Sequence, residues 1–255
     1  MKNFELLAKK IRKKILNISH KSQSAHIASS LSIVDLIIVI YLKFMNKKNN
    51  TFILSKGHAC LAHYCLLNEL KYIPSKDLET YGKDNSVLMS HSDFKAPGVE
   101  VSTGSLGHGL PIGTGIALSY KLNKENKKVF VLMSDGELNE GSNWESILFA
   151  AHHNINNLVL IIDYNKIQSL DFVKKTINLE PLKKKFESFG FDAIKINGHN
   201  YNKIYKALKK KTKKPKVIIA DTIKGKGVSF MENKVLWHYR PPNKKEIERA
   251  IAELN

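Results

Sequence analysis

From residue 129 to residue 221 the chain alternates short apolar runs with amphipathic stretches, and this alternation restricts the fold more than any other feature. Val129–Met133, Leu158–Asp163, Asp192–Ile196 and Val217–Asp221 read as strands. Asn143–His152, Leu179–Phe189 and Asn200–Lys210 between them read as helices. Strands separated by helices pair in parallel, and a parallel sheet must be covered on both faces. The expectation is therefore an α/β fold, a mainly parallel twisted sheet with helices on both faces, and with no linker in sight the 255 residues form a single domain.

Upstream, helices are expected over Phe4–Asn17 and from about Ser32 to Asn46, separated by a polar segment, Ser19–Ser30. A short strand at Phe52–Leu54 turns through Ser55-Lys56-Gly57-His58 into a helix at Ala59–Leu70. Residues Tyr72–Ser92 read as loop with a helix-start signal at Pro74, and a glycine-rich stretch, Pro97–Gly115, leads into a helix ending at Leu122. Lys244–Leu254 closes the chain as a helix.

Two of the strand ends carry oxygen ligands. Val129–Met133 runs into Ser134-Asp135-Gly136-Glu137, and Leu158–Ile162 runs into Asp163-Tyr164-Asn165-Lys166-Ile167, which sets Asn165 thirty positions after Asp135. Ligands of open α/β sheets bind at the carboxyl edge of the strands, so Asp135 and Asn165 are placed to share a hard cation with an anion such as a diphosphate. An Asp-Gly after a strand also serves as a plain turn. Gly104-Ser105-Leu106-Gly107-His108-Gly109, just before a helix, suits either an anion cradle or a tight structural turn. His26, His58, His91 and His238 all fall in polar segments outside the apolar stripes, which favours one shared site. Lys224-Gly225-Lys226-Gly227 after the last strand suits a phosphate grip or a sheet-edge crossing equally. Glu137 and Glu140 read as acid–base candidates or as partners of a helix dipole, with the second preferred.

The Asp135-Gly136 to Asn165 pattern resembles the thiamine-diphosphate signature, and the run from Ser134 to Gln168 resembles transketolase. The resemblance implies that Asp135, Asn165 and the Ile167 carbonyl bind Mg2+ or Ca2+. It further implies that His58, Gly104, Ser105, Leu106, Gly136, Glu137, Asn165 and His238 contact thiamine diphosphate, and that His26, His91 and His238 act on substrate. Three departures stand out: Ser134 for the usual glycine, strained if its φ is positive; His108 for glutamine; and Ala25-His26-Ile27 for Gly-His-Pro. The likeness, from near Phe4 to about His238, covers only the first of a transketolase's three domains. The pyrimidine-binding domain, with the glutamate that activates the cofactor, is expected on a separately encoded carboxy-terminal subunit, in a dimer of heterodimers acting on sugar phosphates. The alternatives are a subunit of another split enzyme, of the oxo-acid dehydrogenase or deoxyxylulose-phosphate synthase type, or a non-catalytic scaffold that kept the fold.

The net charge of +18 raises a nucleic-acid reading, but only three residues, Arg12, Arg240 and Arg249, are arginines, and the lysines are dispersed. Solvated lysine-rich faces account for the charge better, so no nucleic-acid partner is expected. Ile33–Leu42 is interrupted by Asp35 and falls short of the roughly eighteen residues of a membrane span. No membrane partner is expected, and the cytoplasm is the expected location. Cys60 and Cys65 read as small core residues.

Overall fold

The computed structural model describes residues 2–45 and 50–255. Its sheet has five strands, all parallel, in the order β1-β2-β3-β5-β4, with β1 at Thr51–Leu54, β2 at Val129–Ser134, β3 at Leu158–Tyr164, β4 at Asp192–Asn197 and β5 at Lys216–Asp221. The α-helices among the described residues are α1 (Lys2–Ser22), α2 (Ile27–Ile40), α3 (Cys60–Glu69), α4 (Ser75–Leu78), α5 (Gly109–Leu122), α6 (Gly141–His152), α7 (Val173–Thr176), α8 (Leu182–Ser188), α9 (Tyr201–Lys209) and α10 (Lys244–Glu253). Register places Asp163 opposite Ser134 on one side and Ala220 on the other, so the ends of the three central strands lie level.

Side chains of successive strand residues point to opposite faces, and each face has its own core. Phe52, Phe130, Leu132, Ile161 and Ile218 pack beneath α1, α2, α3 and α9. Val131, Met133, Leu160, Ile162 and Ile219 pack beneath α5, α6 and α8. Glycine brings α5 close to the sheet: a Cβ added at Gly109 runs into Ser55, and one at Gly113 meets Val131. Cys60 and Cys65 are free and buried in the core, as expected.

The polar segment before α2 is shorter than the sequence suggests. α1 continues to Ser22 and α2 starts at Ile27, because Ser29, Ser30 and Ser32 are buried against the sheet end and do not face solvent. α2 runs on as a π-helical turn over Tyr41–Met45, and Ile27–Met45 is long and apolar enough for a span by composition alone, contrary to the shorter reading. It lies largely buried in the protein interior as a core helix, with Asp35 bonded inside it. Asn46, the expected end of that helix, lies outside the described residues. α8 starts at Leu182 and not at Leu179, since Pro181 disfavours helical backbone at the residue before it.

Candidate active site

The carboxyl ends of β2 and β3, the turn after β1 and the loops after β5 enclose a cavity of about 240 Å³. Asp135 and Asn165 meet there as expected from their place at adjacent strand ends, with Gly136, Ile167, Gly104 and Leu106. The histidines converge from four segments. The ring of His26 lies 4.7 Å from that of His238, 5.2 Å from His58 and 6.3 Å from His91. Ser105 is exposed and does not line the cavity. Glu137 lies beneath the floor, accepting hydrogen bonds from Ser55 Oγ (2.5 Å), Gly107 N (3.1 Å) and Ser134 N (3.4 Å). Its carboxylate therefore holds the glycine loop against the strand ends; it neither lines the cavity nor serves as a free helix-dipole partner. Glu140 and His108 are exposed at the starts of α6 and α5.

Asp135 Oδ1 accepts from Gly136 N at 2.7 Å and Oδ2 from Lys166 N at 2.6 Å. Burial, then the neighbouring Asp163 carboxylate, push Asp135 up to about 7. Asp163 is held below its ordinary value. Burial alone would raise it, but the Lys56 ammonium at 2.6 Å and the hydroxyls of Ser32 and Thr222 reverse that. Asn165 turns its amide toward Asp163 at 3.0 Å and accepts from Ile167 N at 3.1 Å. Lys224 donates to the Ile167 carbonyl and to His238 Nδ1, both at 3.1 Å, and burial followed by repulsion from Lys56 brings it down to about 8.

Burial, reinforced by this positive charge, lowers His26 to about 4 and His238 to about 3, and takes His58 well below the ordinary histidine range. These three rings are neutral at physiological pH. His26 sits at φ 63° at the start of α2, a left-handed conformation rare for a side chain of its size, with its N–H held by the His238 carbonyl at 3.0 Å. Ser134 lies in regular β2, so serine in place of glycine costs no backbone strain, and its Oγ accepts from Glu137 N at 3.2 Å.

Ser29, Lys56 and Gln168, which the sequence does not mark as site residues, line the same cavity, as does Lys224 of the Lys-Gly-Lys-Gly run read as a phosphate grip or a sheet-edge crossing. A lysine in the turn after a strand is the available signal for Lys56; the buried direction of its side chain is not legible. The cavity residues suit a metal–diphosphate group. Asp135 is a buried carboxylate beside a second one, where a divalent cation would relieve the repulsion. Gln168 Nε2 and His26 Nδ1 are buried without a hydrogen-bond partner, and the Lys224 ammonium supplies positive charge.

Residues 4–254 match the family described as transketolase, thiamine diphosphate binding domain. The chain is 39% identical to one of the apulose-4-phosphate transketolase subunits of Actinobacillus succinogenes, over 98% of this chain and 95% of that one. It is 33% identical to human transketolase over 97% of this chain but 41% of that protein. Among solved structures, transketolase from Campylobacter jejuni superposes with a TM-score of 0.93 at 29% identity, covering all of this chain and 43% of that one. None of these relatives favours an oxo-acid dehydrogenase, a deoxyxylulose-phosphate synthase or a scaffold. The chain belongs to the transketolase family of thiamine-diphosphate-dependent transferases and corresponds to its thiamine-diphosphate-binding domain.

Proposed function

We propose that this chain is the diphosphate- and metal-binding subunit of a two-chain transketolase, which moves a two-carbon ketol unit from a ketose or its phosphate to an aldose acceptor. The observation that carries this reading is the convergence of Asp135, Asn165 and the Ile167 carbonyl on one cavity with four histidines and Lys224. Asp135, Asn165 and Ile167 hold Mg2+, a small oxygen-seeking cation. Lys224, His58 and the backbone at Gly104, Leu106 and Gly136 hold the diphosphate. Thiamine diphosphate, when bound, supplies the nucleophilic carbon that the protein side chains lack.

His26, His91 and His238 line the same cavity. Neutral rings such as those of His26 and His238 donate one hydrogen bond and accept another, so they can steady substrate hydroxyls and pass a proton at the reacting carbonyl oxygen. Glu137 acts indirectly, by fixing the loop from Gly104 to Gly107.

A separately encoded subunit carries the pyrimidine-binding half, and two such pairs join as a dimer of heterodimers. In support, the relative that is itself one subunit of a transketolase is matched over nearly its full length, whereas single-chain transketolases are matched over well under half. The test mixes this chain and its partner with thiamine diphosphate, Mg2+ and a ketose donor and follows aldehyde release. Release that needs both chains and is lost in Asp135→Ala supports the reading. An inert mixture, or an unaffected variant, overturns it.

A further inference from the structure

Asp35 is an ionisable residue embedded in the apolar helix α2, 3% exposed, and the site described above does not use it. Its two oxygens are fully engaged. Oδ2 accepts from Arg12 Nη2 and from His199 Nδ1, each at 2.7 Å, and Oδ1 accepts from Tyr201 Oη at 2.7 Å and Arg12 Nη1 at 3.3 Å. Two of these partners reach onward to one loop. His199 Nε2 accepts the Ile223 N–H at 2.9 Å, and Arg12 Nε donates to the Lys226 carbonyl at 3.1 Å. Between those anchors lies Lys224.

The loop has little freedom apart from these anchors. Lys226 N closes on the Ile223 carbonyl at 3.2 Å, Gly225 N donates to the Ala28 carbonyl at 3.0 Å, and Gly225 at φ 81° has no room for a side chain beside Met231. A bond from His199 Nε2 to a backbone N–H requires the ring's free lone pair there. The proton therefore sits on Nδ1, and the Asp35 carboxylate fixes that tautomer. We propose that Asp35, acting through His199 and Arg12, is a positioning residue that sets the Ile223–Lys226 turn and so aims the Lys224 ammonium into the cofactor cavity. The inference rests on the reading of Lys224 as a diphosphate ligand.

Calorimetric titration of the full chain, assembled with its partner subunit, with thiamine diphosphate and Mg2+ tests it through a double-mutant cycle. Outer partners of a ligand-holding group are typically worth tenfold or more in affinity, so His199→Leu binds about tenfold more weakly than wild type. In a Lys224→Met background, His199→Leu causes no further loss, because there is no ammonium left to aim. His199→Gln, whose amide can donate to Asp35 and accept from Ile223, recovers most of the affinity. Arg12→Met, which frees the other end of the turn, passes through the same cycle and keeps the test open if His199→Leu does not fold. Additive losses in the double variants, or a His199→Leu chain that binds like wild type, overturn the positioning role while leaving the functional reading in place. A wild-type complex that does not bind, or Lys224→Met binding unchanged, overturns the diphosphate reading and the inference with it.

Discussion

At the scale of single residues, the site is a set of buried charges that compensate one another. Lys56 and Asp163, 1% and 0% exposed, form a pair whose separation would leave one charge stranded. Removing one partner of a buried pair typically costs about 3–5 kcal/mol, so Lys56→Met is expected to lower stability by about that much in urea unfolding, and Lys56→Met with Asp163→Asn to recover a large part of it. Histidine burial sets a second expectation. His63, packed between Tyr41 and Phe52, is lowered by burial to about 3 from 6.5. Above pH 6.5 neither folded nor unfolded His63 is charged. Below it the unfolded chain takes up a proton that the folded chain refuses, so stability falls by about 1.4 kcal/mol per pH unit from this group. Asp135 and Glu137, raised by burial, act in the opposite sense over part of the same range, so the clean readout is a difference. His63→Phe should lose less stability than wild type as the pH drops from 6.5 toward 4, and parallel acid profiles would contradict this. The identities of Asp135, Asn165 and the four histidines are legible in the sequence because they stand at strand ends and in polar segments. The roles of Glu137 and Lys56 are not, since the direction of a buried side chain depends on neighbours more than fifty residues away.

At the scale of elements, the apolar pattern locates each strand of the sheet: β1, β2, β3 and β5 are near-continuous apolar runs because both their faces are covered, and the edge strand β4 alternates apolar with polar residues. Boundaries fail where small polar residues do core work. Ser29 and Ser30 look like loop and are helix; the Ser29 carbonyl accepts from Lys56, and one turn on the Ser32 hydroxyl donates to Asp163. The glycine stretch before α5 proves to be two devices: a loop pinned by Glu137, and a helix start pressed against Ser55 by Gly109. Overpacking of that kind typically costs about 1–3 kcal/mol. Gly109→Ala should therefore lower the unfolding midpoint by that equivalent, and it should also weaken cofactor binding, because Ser55 makes the shortest of the hydrogen bonds that hold Glu137. Gly115→Ala, an exposed position of α5 where an added Cβ meets nothing, should raise the midpoint by the equivalent of up to about 1 kcal/mol through helix propensity and leave binding unchanged, and it serves as the control in the same denaturation series.

At the scale of the whole molecule, the sheet gathers β2, β3 and β5 with their ends level, and the chemistry follows from that edge. Segments distant in sequence, around His26, His58, His91 and His238, come together only because α2, the turn after β1 and the loops after α4 and β5 all open toward it. The resemblance seen in the sequence anticipates this gathering; spacing alone could not, since the histidines share no period. The central claim is that Asp135 and Asn165 hold a cation that in turn holds a diphosphate. Calorimetric titration of the chain, assembled with its partner subunit, with thiamine diphosphate, with and without Mg2+, tests it most directly. Binding that needs the cation and disappears in Asp135→Ala is the predicted result; binding of equal strength without the cation, or in the variant, would contradict it.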